Sequence, residues 1–183
     1  MISGDAAPHE DFALLGSLKE CGQLKDLQRG SVLYAHIIKK GILEHTPYLS
    51  SSLISMYAKC GEFTKAVGVL EELHVRDIVS WNALIAGYIQ HGQCQEALNC
   101  YFLRMQKEGI SPNEVTFVCI LKACGNIEAI DKGTRIHEAI VSEGYLEKDS
   151  VLATALVDMY AKCGVLCKAQ QILEASPVQD PAP

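Results

Sequence analysis

MYAKCG occupies Met56–Gly61, and the same six residues return at Met159–Gly164. A hexapeptide containing a cysteine, written twice 103 positions apart, marks a chain assembled from copies of one structural unit. The match extends outward. LISMYAKCG from Leu53 agrees with LVDMYAKCG from Leu156 at seven of nine positions, and LKECG from Leu18 falls on LKACG from Leu121 at the same offset. The 103-residue period divides into units of 36, 31 and 36 residues, giving boundaries at 11–46, 47–77, 78–113, 114–149 and 150–180. Residues 1–10 then form the tail of a preceding unit, and 181–183 a short tail.

Each unit carries two helical stripes. In 78–113, Trp81, Leu84, Ile85 and Tyr88 recur at i, i+3, i+4 and i+7, one face of a first helix that Gly92 ends. Leu98, Tyr101, Phe102 and Met105 repeat the spacing on a second helix, which GISPN from Gly109 closes. Gly61 separates Leu53, Ile54, Met56 and Tyr57 from Ala66, Val69, Leu70 and Leu73, and Gly164 stands at the equivalent point of the last unit. No stretch alternates as a strand would. One helix pair cannot bury its own apolar face, so the pairs must stack, and the expected fold is an all-α solenoid with first helices lining its concave side.

Bulk properties exclude several classes. At 183 residues and 49% hydrophobic content a sizeable core is available. No apolar run approaches the ~20 residues that cross a bilayer, so no membrane partner is expected. MISGDAAPHE lacks the features of a signal or transit peptide. The eight cysteines come without a signal peptide, an Asn-x-Ser/Thr acceptor or a CxxC pair, so they read as reduced thiols and not as a metal site. Cys21, Cys60, Cys124 and Cys163 are expected to be buried as small apolar side chains. The net charge of −6 argues against sequence-blind binding to nucleic acid.

Units of 36, 31 and 36 residues carrying VSWNALIAGY (Val79–Tyr88), LKACG (Leu121–Gly125) and MYAKCG resemble the pentatricopeptide repeat proteins, in the plant-type subclass that mixes P, L and S repeats. By that resemblance 11–46 and 114–149 are L-type, 47–77 and 150–180 S-type, and 78–113 P-type. Tetratricopeptide repeats share the helix pair but have a regular length. The resemblance implies a right-handed superhelix that binds single-stranded RNA at one base per repeat. It also implies that the chain is a fragment of a longer organellar factor of the mitochondrion or chloroplast. In the family, a base is selected by the fifth and the last residue of a repeat.

Those positions hold Asn82 with Asn113, Ser51 with Asp77, and Thr154 with Asp180. Carboxamides offer a donor and an acceptor and suit a pyrimidine, whereas a carboxylate only accepts and suits the donor edge of guanine. The L-type pairs, Leu15 with Thr46 and Val118 with Asp149, have an apolar fifth residue and should read their base poorly. The implied target is N-G-Y-N-G. The family's base-packing second residues are Phe12, Tyr48, Val79, Val115 and Val151, which suit the faces of bases. Lys59 and Lys162 resemble residues that touch phosphate; Gln90 and Asn126 replace them elsewhere. Unit 78–113 carries one residue more than usual around Asn99–Met105.

Trp81, Tyr57, Tyr88 and Tyr160 lie on the apolar stripe and read as core. The histidines form no metal-spaced pair, and HEAI at His137 lacks the H-x-E of a zinc deaminase. No P-loop, nucleophile elbow or GxGxxG is present. The expected role is therefore recognition without catalysis, cofactor or small-molecule substrate, with RNA and other RNA-processing factors as partners. The alternative is a protein-interaction scaffold whose groove holds a peptide or partner helix.

Overall fold

The computed structural model describes residues 7–43, 46–146 and 150–175. Among them there are ten helices and no strand: α1 Ala7–Leu24, α2 Leu27–Lys40, α3 Pro47–Lys59, α4 Phe63–Glu72, α5 Ile78–Gln90, α6 Cys94–Asn99, α7 Glu114–Asn126, α8 Ile130–Ser142, α9 Ser150–Lys162 and α10 Leu166–Ala175. They group into two compact units, Met1–Gly92 and Gln93–Pro183.

In the first unit the odd-numbered helices α1, α3 and α5 stand side by side, while α2 and α4 pack onto α3 from the other layer. The apolar stripe read from the sequence fills the space between the layers: Leu53, Ile54, Met56, Tyr57, Trp81, Leu84 and Ile85 are all buried. Each such side chain contributes roughly 1.5–3 kcal/mol by leaving water. The second unit repeats the arrangement with α7 beside α9, and α8 and α10 behind them. Phe117, Ile120, Leu121, Leu156, Met159 and Tyr160 form its centre.

The repeated hexapeptide is the end of α3 and of α9. Gly61 (φ +80°) and Gly164 (φ +76°) turn the chain out of the helix in the left-handed region. Glu62 N–H then bonds the Tyr57 carbonyl, and Val165 N–H the Tyr160 carbonyl, both at 2.9 Å. Met56 and Met159 fill the space above glycines of the preceding helix: a Cβ added at Gly30 would lie 2.5 Å from Met56 Sδ, and one at Gly133 2.6 Å from Met159 Sδ. The cysteine expectation divides. Cys21 and Cys124 are buried, but Cys60 and Cys163 follow the last helical residue and are only half-buried. There the helix has ended, and the side chain leaves the periodic apolar stripe that the helix buries.

The excess residue of unit 78–113 also has a physical home. After α6 the chain runs on through a π-helical turn, Cys100–Met105, in which Gln106 N–H reaches back five residues to the Tyr101 carbonyl at 3.2 Å. A π turn absorbs one inserted residue without ending the helix. The flanking side chains Cys100, Tyr101 and Met105 therefore stay buried.

Candidate nucleic-acid interface

Five apolar side chains escape burial at the same register of the odd-numbered helices. Phe12 on α1, Tyr48 on α3 and Val79 on α5 are exposed in the first unit, and Val115 on α7 and Val151 on α9 in the second. Their exposure runs from 48% for Val79 to 73% for Phe12. A single exposed apolar residue needs no explanation, but recurrence at one register on α1, α3 and α5, and again on α7 and α9, sets these five apart.

The fifth-position residues differ among themselves. Ser51 is only 9% exposed, and its hydroxyl donates to the Tyr48 carbonyl of its own helix at 3.2 Å. Asn82 is half-buried on α5, and Thr154 is exposed on α9. The last-position residues turn out to have a second task that the sequence reading missed. Asp77 is the N-cap of α5, its Oδ1 accepting Ser80 N–H at 2.8 Å. Asn113 is the N-cap of α7 in a reciprocal capping box: Oδ1 accepts Thr116 N–H at 3.1 Å, and Asn113 N–H donates to Thr116 Oγ1 at 3.2 Å. The signal was available, since Asp or Asn three residues before Ser or Thr at the head of an apolar run is an N-terminal helix signature. Asn82 and Asn113 fall in different compact units, and Asp180 and Asp149 lie outside the described residues.

Within the second unit the structure brings several of the predicted residues around one groove. A cavity of about 500 Å³ opens between α7 and α9, lined by Val118, Lys122, Val151, Thr154, Ala155 and Asp158. Val118, Val151 and Thr154 were singled out in the sequence. Lys122 and Asp158 were not, although each stands four residues beyond a fifth-position residue and so shares its helix face.

Lys59 and Lys162 are held alike through their stems. The methylenes of Lys59 lie across Gly22 and those of Lys162 across Gly125, each Cδ 3.1 Å from where a Cβ would stand. Their ammonium groups differ. Lys162 Nζ pairs with Asp158 Oδ2 at 2.8 Å and touches Asn126 Oδ1 at 3.4 Å, whereas position 55, the equivalent of Asp158, is a serine.

A second cavity, of about 410 Å³, lies between α2, α3 and α4 and borders none of the predicted site residues; it is lined by Tyr34, Tyr57, Lys65 and Glu72 among others. Tyr34 donates to Glu72 at 2.6 Å, and burial together with that carboxylate holds its phenol well above the usual range. Burial likewise pushes the Cys124 thiol up to about 12 and Cys100 to about 11, so neither forms a thiolate at neutral pH. Among the described residues no group of three His, Cys, Asp or Glu is placed to hold a metal ion, and no helix is long and apolar enough to cross a membrane.

A family model described as "PPR repeat family" matches residues 76–126, and a second, "PPR repeat", matches residues 49–78. A chloroplastic pentatricopeptide repeat-containing protein of Arabidopsis thaliana is 37% identical over 167 residues, 91% of this chain and 27% of its own. A mitochondrial one from the same plant is 33% identical over 164 residues, 90% of this chain and 23% of its own. The chain spans about a quarter of the length of these relatives. The fold is similar to the crystal structure of the maize pentatricopeptide repeat protein PPR10, with a TM-score of 0.65 and 22% identity over 88% of this chain and 23% of that one. It is also similar to PPR10 in complex with an 18-nt psaJ RNA element, with a TM-score of 0.60 and 20% identity over 84% of this chain and 22% of that one. The likeness in fold makes the helix pairs an α-solenoid, and the two family models agree with it by matching pentatricopeptide repeats within residues 49–126.

Proposed function

We propose that the chain binds single-stranded RNA with sequence selectivity, as the recognition part of a longer organellar RNA-processing or C-to-U RNA-editing factor of the subclass that mixes P, L and S repeats. The repeats run 11–46, 47–77, 78–113, 114–149 and 150–180, and chemistry is left to other parts of the protein or to partner factors. The observation that carries this reading is the groove between α7 and α9, where exposed Val151 and half-buried Val118 offer apolar faces beside the hydroxyl of Thr154. Its volume lies in the range that encloses a small planar ligand. Apolar walls suit base faces of any identity, and a polar edge selects among them. The relatives named chloroplastic and mitochondrial, and the RNA-bound PPR10 structure, support the same ligand class and compartment.

In this reading Asn82 with Asn113, Ser51 with Asp77, and Thr154 with Asp180 select bases; Phe12, Tyr48, Val79, Val115 and Val151 pack against them; Lys59 and Lys162 face phosphate. The burial of Ser51 makes Asp77 the stronger member of its pair. The test is a titration of short RNAs carrying GYNG and scrambled sequences at several salt concentrations. Tighter binding of GYNG is expected. Equal affinities would overturn the code assignment, and the absence of any RNA binding by a longer capped chain would overturn the function. Asn113→Asp should shift preference toward uracil, whose N3–H then meets an acceptor. A net charge of −6 favours a second reading, a scaffold for a peptide or partner helix, which binding of such a partner without RNA would establish.

A further inference from the structure

We propose that Lys122 is the residue of the second unit that meets an RNA phosphate, at the rim of the groove between α7 and α9. The inference rests on the RNA reading above and adds to it a ligand contact that lies within one compact unit. Among the described residues lining that cavity Lys122 is the only cation, and Val118, four residues before it on α7, shares its helix face. Its side chain is exposed, and among the described residues no hydrogen bond or ion pair holds its ammonium. A lysine at the edge of an apolar wall lays its methylenes along the wall and keeps its charge in water. A phosphate is joined to its base through the ribose, so a base packed against Val118 and Val151 leaves its phosphate at the rim, within reach of such a charge.

The other candidates for this contact are engaged or uncharged. Lys162, one turn beyond Asp158 on α9, does not line the cavity, and its Nζ is held by Asp158 Oδ2 at 2.8 Å and Asn126 Oδ1 at 3.4 Å. Asp158, the carboxylate on the groove wall opposite Lys122, thus takes its cation from its own helix. An anionic ligand entering the groove meets one compensated pair and one uncompensated charge. On α7 the place that holds lysine in α3 and α9 is Asn126, and Lys122 stands one turn before it. The same exchange occurs on α1, where Gln23 takes the lysine place and exposed Lys19 stands one turn before it. These are the two units with an apolar fifth residue, Leu15 and Val118. A cation on phosphate adds affinity without base preference, which suits a unit that reads its base poorly.

The experiment measures binding of the whole chain to the GYNG and scrambled RNAs across a salt series, for the wild type, Lys122→Gln, Lys122→Arg, Lys162→Gln and Lys107→Gln. Lys107 is an exposed lysine that does not line the groove. Lys122→Gln should weaken both RNAs several-fold, by the same factor, and flatten the logarithmic salt dependence by about 0.7. Lys122→Arg should keep the wild-type slope, Lys162→Gln should flatten it less, and Lys107→Gln should leave it unchanged. Wild-type affinity and slope in Lys122→Gln would overturn the proposal while the RNA reading stands. A loss confined to one of the two RNAs would overturn it as well, since Lys122 would then read a base. Equal losses in Lys122→Gln and Lys107→Gln would reduce the effect to net charge and overturn it too. Absence of RNA binding by the wild type, in this chain and in a longer capped one, would overturn the RNA reading, and the phosphate contact with it.

Discussion

The two copies of MYAKCG sit in separate compact units and make the same scaffold contacts, yet their ligand-facing surroundings diverge. Met56 caps Gly30 as Met159 caps Gly133, and Lys59 crosses Gly22 as Lys162 crosses Gly125. Tyr57 meets Tyr34 edge-on beneath Lys65, and Tyr160 meets His137 edge-on beneath Lys168. Against this sameness, Ser51 is buried where Thr154 is exposed, and Lys162 is paired to Asp158 where position 55 offers no carboxylate. Residues that pack helix on helix are constrained by volume on all sides. Residues outside that packing are free to differ, and on the proposed RNA reading selectivity resides in those differences.

The largest effects should be equal in the two copies. Met56→Ala and Met159→Ala each remove a fully buried side chain and should cost about 2–5 kcal/mol in denaturant unfolding. A clear inequality would break the structural equivalence. Next come the lysines, where inequality is expected. Lys59→Gln should weaken RNA binding several-fold and flatten the logarithmic salt dependence by about 0.7. Lys162→Gln should do less, because Asp158 already offsets its charge, and Asp158→Ser should tighten binding and steepen the salt slope. If the two lysine variants behave alike, the ion pair has no bearing on RNA.

Smaller effects should again be matched. α1 and α7 end with non-glycine residues in the left-handed region, Lys25 at φ +55° and Glu128 at φ +54°. Lys25→Gly and Glu128→Gly should each stabilise by about 0.5–1 kcal/mol, relief of backbone strain outweighing the added freedom of the unfolded chain. Thermal unfolding of both variants checks this. The smallest effect separates the copies by pH. Burial, and then the nearby Lys168 charge, hold His137 below its ordinary 6.5, with Glu138 opposing and the Tyr160 hydroxyl 3.0 Å from Nδ1. Just below pH 6.5 the unfolded chain therefore binds more protons than the folded one, and stability falls on acidification while remaining flat above that value. The first unit has Tyr34 at this place, which does not titrate in acid. His137→Tyr should shrink the loss of thermal midpoint between pH 7.5 and 5.5; an unchanged loss would place the acid sensitivity elsewhere.

Much of this architecture was legible in the letters because repetition and 3.6-residue periodicity are properties of order along the chain. The stripe Trp81, Leu84, Ile85 and Tyr88, the helix-ending Gly61, Gly92 and Gly164, and the excess residue near Cys100 could all be read before any coordinates. What the order of residues did not disclose was which atoms of a polar side chain were already committed. Asp77 and Asn113 read as ligand contacts, and the structure adds that each closes a helix N-terminus. Ser51 read as a base contact, and the structure adds that its hydroxyl donates to the Tyr48 carbonyl of its own helix. Lys59 and Lys162 read as equals until Asp158 was found 2.8 Å from one of them.

The sequence by itself determined the helix pair and its repetition, because burial of a periodic apolar stripe leaves few alternatives. Only the tertiary structure decided the groove between α7 and α9, the partners of Lys162 and the helix cap at Asn113. Those depend on distances of about 3 Å between side chains, which short-range hydrogen-bond geometry sets and which residue order alone does not encode.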